Sequence, residues 1–292
     1  MSQMYGKLIV LTEESSMVGD TVTVRNLITN AVMTGTIGSN GYCEIFLPAF
    51  ARYKASLNGI EDTFEMDCGE THFLDLGFRT DTWAGIKKII DAGKAAEYIS
   101  NGDRFTVELS TNETLIYEAN VNTYGQGEVD FIPTYCMAVT KQHHTSNTNA
   151  GGWNNSDIRN FLNNTFILTL PEDLQAVISA KPVKATIGSQ SNTLQTAEDK
   201  IWIPTEKEVF GQITYSGSAE NAVNNMYPIF TDNASRVRTQ GANGAAVNVW
   251  LASPNVGSGN YFCYVTASGA PNYNGASYSY GVLPCFRIAP EA

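Results

Sequence analysis

Charge is scarce in this sequence. Asp, Glu, Lys and Arg make up 16% of the 292 residues, against roughly 25% in ordinary soluble proteins. The few charges are unbalanced, with a formal net of -11, so the basic face that a nucleic-acid backbone or an anionic membrane would need is missing. Histidine is rarer still, at three residues: His72, His143 and His144. No H-E-x-x-H, P-loop, G-x-G-x-x-G after a strand, EF-hand loop or G-x-S-x-G elbow occurs, which leaves metalloprotease, nucleotide and α/β-hydrolase chemistry without support. No apolar run approaches the length of a membrane span, and the N-terminal "KLIVL" is too short for a signal-peptide core. A protein without an export signal or membrane insertion is therefore expected.

Five cysteines are present without a single C-x-x-C pair: Cys43, Cys68, Cys136, Cys263 and Cys285. The odd count and irregular spacing exclude a complete disulfide framework and a zinc ribbon. All five read as buried reduced thiols, with Cys263 and Cys285 the one pair similar enough in context to consider for a bond.

What is present divides the chain. From residue 1 to 79, short segments rich in β-branched and aromatic residues ("KLIVL", "TVTVRN", "VMTGTI", "YCEIF", "DTFEM") alternate with turns at Gly19-Asp20, Ser39-Asn40-Gly41 and Asn58-Gly59. This pattern predicts a small all-β sandwich, Ig-like or transthyretin-like, acting as a spacer or docking module. Over 80–102 the period becomes helical, with Trp83, Ile86, Ile89, Ile90 and Ala95 on one face after an Asp81 or Thr82 cap, and Gly93 interrupts it. This stretch reads as a helical connector.

Residues 103–292 mix the two periods. "RFTVEL" and "TLIYEANV" read as paired strands joined by "STNE", and "VDFIPTYCMAV" as a more buried strand. Ser156 caps a helix whose apolar face is Ile158, Phe161 and Leu162, and Thr205-x-x-Glu208 fits a capping box. His143-His144 lies in the polar "KQHHTSNTNAGGW" and reads as a pair of surface histidines. Glu206 and Glu208 read as capping and surface groups. Between Arg238 and Arg287 there is no Asp, Glu, Lys or Arg, and Gly259–Val282 is dominated by Tyr, Ser, Gly and Asn. These residues suit a contact surface, because Tyr gives a large amphipathic area with few bonds to freeze and Ser, Gly and Asn adapt their hydrogen bonds. A glycine-rich meander that merely covers the core has the same composition.

The words "NTNAGGWNNSDIRNFLN", "LPEDLQAVI", "EDKIWIPTEKEVFG", "VWLASP" and "NGASYSYGVLPCF", in that order, resemble a domain of gut bacteria and their phages. That family has a C-type-lectin-like α+β fold and is related to the formylglycine-generating-enzyme branch. The resemblance spans about Asp103 to Ala289 and leaves out the N-terminal β module. The fold class it implies is an α+β C-type-lectin-like C-terminal domain preceded by a small all-β sandwich. Members of the fold class include the variable proteins diversified by retroelements, in which adenine-directed mutagenesis rewrites codons near the 3′ end of the gene.

By this resemblance the variable ligand-binding face comprises Asn248, Ala252, Ser258, Asn260, Tyr261, Tyr264, Thr266, Ser268, Ala270, Asn272, Tyr273, Asn274, Tyr278 and Tyr280. Phe262, Val265, Gly269, Gly275 and Gly281 hold the backbone between them. The implied function is non-enzymatic binding, as a phage receptor-binding or displayed protein in a virion tail or released to a cell surface. The partner would be a host-surface protein or glycan, and the N-terminal module would serve virion attachment or homo-oligomer assembly. A non-diversified bacterial adhesion protein of the same fold is the alternative. Ala252, Leu283 and Cys285 depart from the family's usual arginines and alanine. The copper-binding cysteine pair and the calcium signatures Glu-Pro-Asn and Trp-Asn-Asp are missing, so no catalytic residue, metal or cofactor carries over.

Overall fold

The structure is a computed structural model that describes residues 5–11, 17–39, 42–74 and 80–291. The turn expected at Asn40-Gly41 and the module end expected at residue 79 lie outside the described residues. The chain divides into two compact units, Met1–Asp81 and Thr82–Ala292.

The first unit is built from two sheets around one core. Tyr5–Leu11 pairs antiparallel with Tyr42–Pro48 and parallel with Thr71–Phe73. The other sheet runs Val32–Thr36, Thr21–Asn26, Ala51–Leu57, Ile60–Met66, all antiparallel. In "TVTVRN" every second residue (Val22, Val24, Asn26) faces inward, as a half-buried strand requires. The one buried polar residue there, Asn26, accepts from the N–H groups of Ile28 and Thr29, both at 2.9 Å, and so forms the following turn. Leu8, Val10, Val24, Ile45, Leu47, Tyr53 and Phe64 fill the space between the sheets. Ala51–Leu57 is a strand that the sequence pattern does not predict. Its "ARYKASL" alternates charged or polar residues with Tyr53, Ala55 and Leu57, and the Lys and Arg mask the pattern.

The second unit begins with the helix Trp83–Asp91, where Thr82 Oγ1 accepts from Gly85 N at 3.2 Å. Gly93, at φ +72°, ends it before the short helix Ala95–Tyr98. These helices are not a connector. Trp83, Ile86, Ile90 and Ala95 are buried in the core of the second unit, so residues 82–102 belong to that domain.

That core lies on a five-stranded antiparallel sheet in the order Ile201–Trp202, Cys285–Ile288, Val129–Pro133, Thr114–Val121, Arg104–Glu108. The "LPCFRIA" segment thus supplies an interior strand, fully buried on both faces, which explains its apolar character, and its one charge, Arg287, is paired with Asp130. Phe131 and Phe286 stack at 4.8 Å, and Trp83 meets each edge-on at 5.6 Å. The helices Asp157–Asn164, Glu172–Val177 and Glu206–Phe210 and several two-stranded ribbons complete an α+β domain. Ser156 Oγ caps the first of these through Arg159 N at 3.1 Å. In this second unit Val249–Pro254, Tyr261–Val265 and Pro271–Gly275 form a separate antiparallel sheet, which carries the uncharged stretch.

Candidate binding face

The loop entering the middle strand of this small sheet is held by one side chain. Asn149 is buried, and its Nδ2 donates to the carbonyls of Ser258 (2.7 Å), Tyr261 (2.8 Å) and Asn255 (3.3 Å). Its Oδ1 accepts from Ser189 N at 2.8 Å, and its backbone N–H donates to Gly259 O at 2.9 Å. Nothing in the composition of "NTNAGGW" distinguishes this Asn from its neighbours. At the other end, the turn Thr266–Ala270 closes through Thr266 N to Ala270 O at 2.8 Å. Gly269 is required there, with φ +83° and a Cβ that would lie 1.8 Å from Asn233 O. Asn149→Ala is expected to destabilise the domain by about 2 kcal/mol, because buried carbonyls of the 255–261 loop lose their donor. A chemical-denaturation midpoint equal to wild type would contradict this.

Strand alternation divides the predicted residues between two sides of the sheet. Tyr261 stacks on Tyr273 at 5.6 Å, and Tyr273 meets Tyr215 edge-on at 4.8 Å. On the other side Tyr264 and Tyr280 lie 4.8 Å apart over Trp250, with Tyr278 beyond at 6.3 Å. Asn274 Nδ2 donates to the Tyr280 hydroxyl at 2.6 Å, which fixes that ring. The fourteen residues therefore do not form one continuous face. Tyr273 (40% exposed), Tyr278 (56%) and Ser268 reach solvent. Asn248, Ser258, Asn260, Tyr261, Thr266, Ala270, Asn272, Asn274 and Tyr280 are half-buried.

Two do not belong to a surface. Ala252 is fully buried in the strand Val249–Pro254, where every residue faces protein, and Tyr264 is buried against Trp250. Several half-buried members also hold the backbone: Asn248 Oδ1 accepts from Ala267 N at 3.0 Å, and Thr266 Oγ1 from Ala270 N at 3.0 Å. Phe262 and Val265 are buried, as scaffold residues should be.

His143 is not a surface residue. It is fully buried, stacked on Phe262 with Trp250 edge-on at 5.5 Å, and Nε2 donates to Leu251 O at 3.1 Å. Among the described residues Nδ1 has no hydrogen-bond partner, and burial lowers the imidazole pKa to about 3, so the ring is neutral. Its neighbour His144 is the one that stays near the surface loop, with Nδ1 accepting from Ser146 N at 3.1 Å.

Beneath the Tyr215–Tyr273 side lie two carboxyl groups that, among the described residues, have no cation in hydrogen-bond contact. Glu206 and Glu220 are both fully buried, which corrects the surface role expected of Glu206. Glu206 accepts from Tyr215 N (3.0 Å), Ser216 N (2.7 Å) and Ser216 Oγ (2.7 Å). Glu220 accepts from Thr186 N (2.9 Å), Thr186 Oγ1 (3.1 Å) and Ser253 Oγ (2.5 Å), while Ser253 Oγ accepts from Glu206 N. Burial, reinforced by the Glu206 charge, raises the Glu220 pKa to about 7 against the pull of its hydrogen bonds.

The cysteines are free, so Cys263 and Cys285 are not bonded to each other, and Cys68 is exposed rather than buried. Burial drives the Cys263 thiol pKa well above its ordinary range, with Glu206 and Glu220 adding to the effect, so it is no thiolate at neutral pH. Among the described residues no group of three or more His, Cys, Asp or Glu is placed to hold a metal.

No curated protein matches the chain. Among solved structures, the Bacillus anthracis TIE protein is similar at 20% identity over 25% of this chain, with a TM-score of 0.21, and the match covers 17% of that chain. The family described as a domain of unknown function, DUF6273, matches residues 111–290, and the chain belongs to that family.

Proposed function

We propose that the Thr82–Ala292 unit is a non-enzymatic ligand-binding domain of C-type-lectin-like fold whose contact surface is the uncharged 255–280 region. The observation that carries the reading is the contrast within that region. Exposed Tyr273 and Tyr278 sit on a backbone fixed by buried Asn149, Phe262 and Gly269. Rigid aromatic side chains on a clamped frame lose little entropy on binding, and uncharged neighbours avoid stranding an ion at an interface. The setting is a phage-encoded displayed or receptor-binding protein, its face diversified by a retroelement and its partner a host-surface protein or glycan. Many copies on one particle would raise a modest single-site affinity by orders of magnitude. Among the described residues no helix is long and apolar enough to cross a membrane.

Sequencing the 3′ end of the gene across a natural population tests diversification. Substitutions should gather at the exposed and half-buried positions named above and spare Asn149, Ala252, Phe262 and Gly269. Changes spread as densely over 249–254 as over 258–280 would leave the non-diversified adhesion protein as the better reading. Tyr273→Ala with Tyr278→Ala should move the melting temperature by no more than about 3 °C, since neither ring is buried. A collapse of the fold would assign both rings to the core and end the display idea.

A further inference from the structure

The lack of charge is not confined to the C-terminal stretch. Residues 143–156, 185–197 and 209–219 also contain no Asp, Glu, Lys or Arg. The fold ties these three segments to the uncharged stretch. Ser189 N donates to Asn149 Oδ1 (2.8 Å), and Gln190 Nε2 to Gly257 O (3.3 Å). Asn192 Nδ2 donates to Ser218 Oγ at 3.1 Å. Tyr215 O accepts from Val256 N (3.0 Å) and Asn255 Nδ2 (3.2 Å). Segments far apart in an acidic chain thus join at one end of the domain, and all of them are neutral.

We infer that this end carries a composite site for a neutral saccharide, with Tyr215, Tyr261 and Tyr273 as a ring platform and Ser258, Asn260 and Gln190 as its polar rim. The inference rests on the binding reading above and adds a fixed residue, Tyr215, from outside the Tyr-rich stretch. Tyr215 is held by Glu206, which accepts its backbone N–H, and by Asn255, so its edge-on contact with Tyr273 is set before any ligand arrives. Tyr261 and Tyr273 are nearly parallel, 23° apart, and Tyr273 is 40% exposed.

The electron-rich faces of such rings attract the polarised C–H groups of a pyranose. Asn260 Nδ2 and Gln190 Oε1 make no hydrogen bond among the described residues, which leaves an uncharged donor and acceptor for sugar hydroxyls. A charged ligand is disfavoured, because no exposed counter-charge lies in these segments and an unpaired ion would be desolvated. Anionic sugars face an added penalty from buried Glu206 and Glu220 and from the net charge of -11.

The test uses the full chain against a panel of neutral hexasaccharides (gluco-, manno-, galacto- and N-acetylglucosamine types) with sialylated and sulfated counterparts, read by calorimetry. At least one neutral saccharide should bind, with affinity unchanged between about 50 and about 500 mM salt, since no ion pair is there to screen. Tyr215→Ala and Tyr273→Ala should each weaken it about tenfold or more. Tyr215→Phe should stay within about threefold, and Leu168→Ala, at an exposed residue outside these segments, should leave it unchanged. Thermal melts of each variant separate unfolding from loss of contact. Binding of none of the neutral saccharides, salt-sensitive binding of the anionic ones, or indifference to Tyr215→Ala overturns the inference. If a host-surface protein instead binds through Tyr273 or Tyr278, the saccharide assignment fails and the binding reading stands. If the saccharide binds and neither tyrosine variant weakens it, both fall.

Discussion

Lys181→Met will lower the melting temperature of the Thr82–Ala292 unit by about 10 °C, the equivalent of about 3–5 kcal/mol for an ion left buried without its partner. Lys181 is 2% exposed and its partner Glu208 is fully buried. Lys181 Nζ donates to Glu208 Oε1 and sits over the rings of Trp202 (4.8 Å), Tyr124 (5.1 Å) and Tyr227 (5.7 Å). The Tyr124 hydroxyl donates to the same Glu208 oxygen, and Thr205 N donates to the other at 2.7 Å. Burial opposes ionisation of Glu208, but the lysine charge and these hydrogen bonds outweigh it and hold the carboxyl below its usual range. The neighbouring pair Arg287–Asp130, at 2.7 and 2.8 Å, shares the Tyr227 hydroxyl, which lies 3.0 Å from Asp130 and 3.3 Å from Glu208. Glu208→Gln alone should destabilise comparably by stranding the ammonium. Combining Lys181→Met with Glu208→Gln should recover part of the loss, since no unpaired ion then remains. If the two losses simply add, the residues are not coupled and the network account is wrong.

Glu208 also marks where the sequence is legible and where it stops. Its role as N3 of a capping box follows from Thr205-x-x-Glu208, because a cap is a contact between residues three apart. Its pairing with Lys181 follows from nothing local, since only the closed fold brings the two together. The same line divides the rest of the domain. Ser156, Thr82 and Gly93 act on their own helices and were readable from spacing. His143, read as a surface residue from its polar neighbours, is buried by Phe262 and Trp250, which arrive from distant segments, and by Trp153 at the end of its own loop. On the candidate face, composition identified the Tyr-rich stretch but not its two sides. Sidedness depends on register, and register places Tyr261 and Tyr273 opposite Tyr264 and Tyr280. Asn149 and Tyr215 are not legible in the sequence for the same reason, since their partners are far along the chain. The one sequence signal for Tyr215 was that its own segment, 209–219, is uncharged too.

Between pH 5 and 6 the stability of the wild-type domain should be nearly flat, because two buried groups tilt it in opposite directions. His143, flanked by His144 and Asp157, has its pKa lowered from 6.5 to about 3. The unfolded chain binds its proton first, so stability is full above 6.5 and is lost as pH falls, by about 5 kcal/mol over the whole window. Glu220, facing Glu206 and Cys263, has its pKa raised from 4.5 to about 7. Here the folded state keeps the proton longer, so stability is full below 4.5 and declines by about 3 kcal/mol as pH rises through 7. Where the windows overlap, each contributes a slope of about 1.4 kcal/mol per pH unit with opposite sign. Glu220→Gln leaves His143 unopposed, and denaturation midpoints should climb steadily from pH 5 to 6. His143→Phe leaves Glu220 unopposed and should reverse the trend, whatever the substitution does to stability at any single pH. The readout is a slope, so packing losses in either variant do not confuse it. Profiles of both variants parallel to wild type would mean that neither group titrates as its burial requires. Crossed slopes would show that the candidate face is underlain by a proton-binding carboxyl, Glu220, on one side of the sheet and a neutral imidazole on the other.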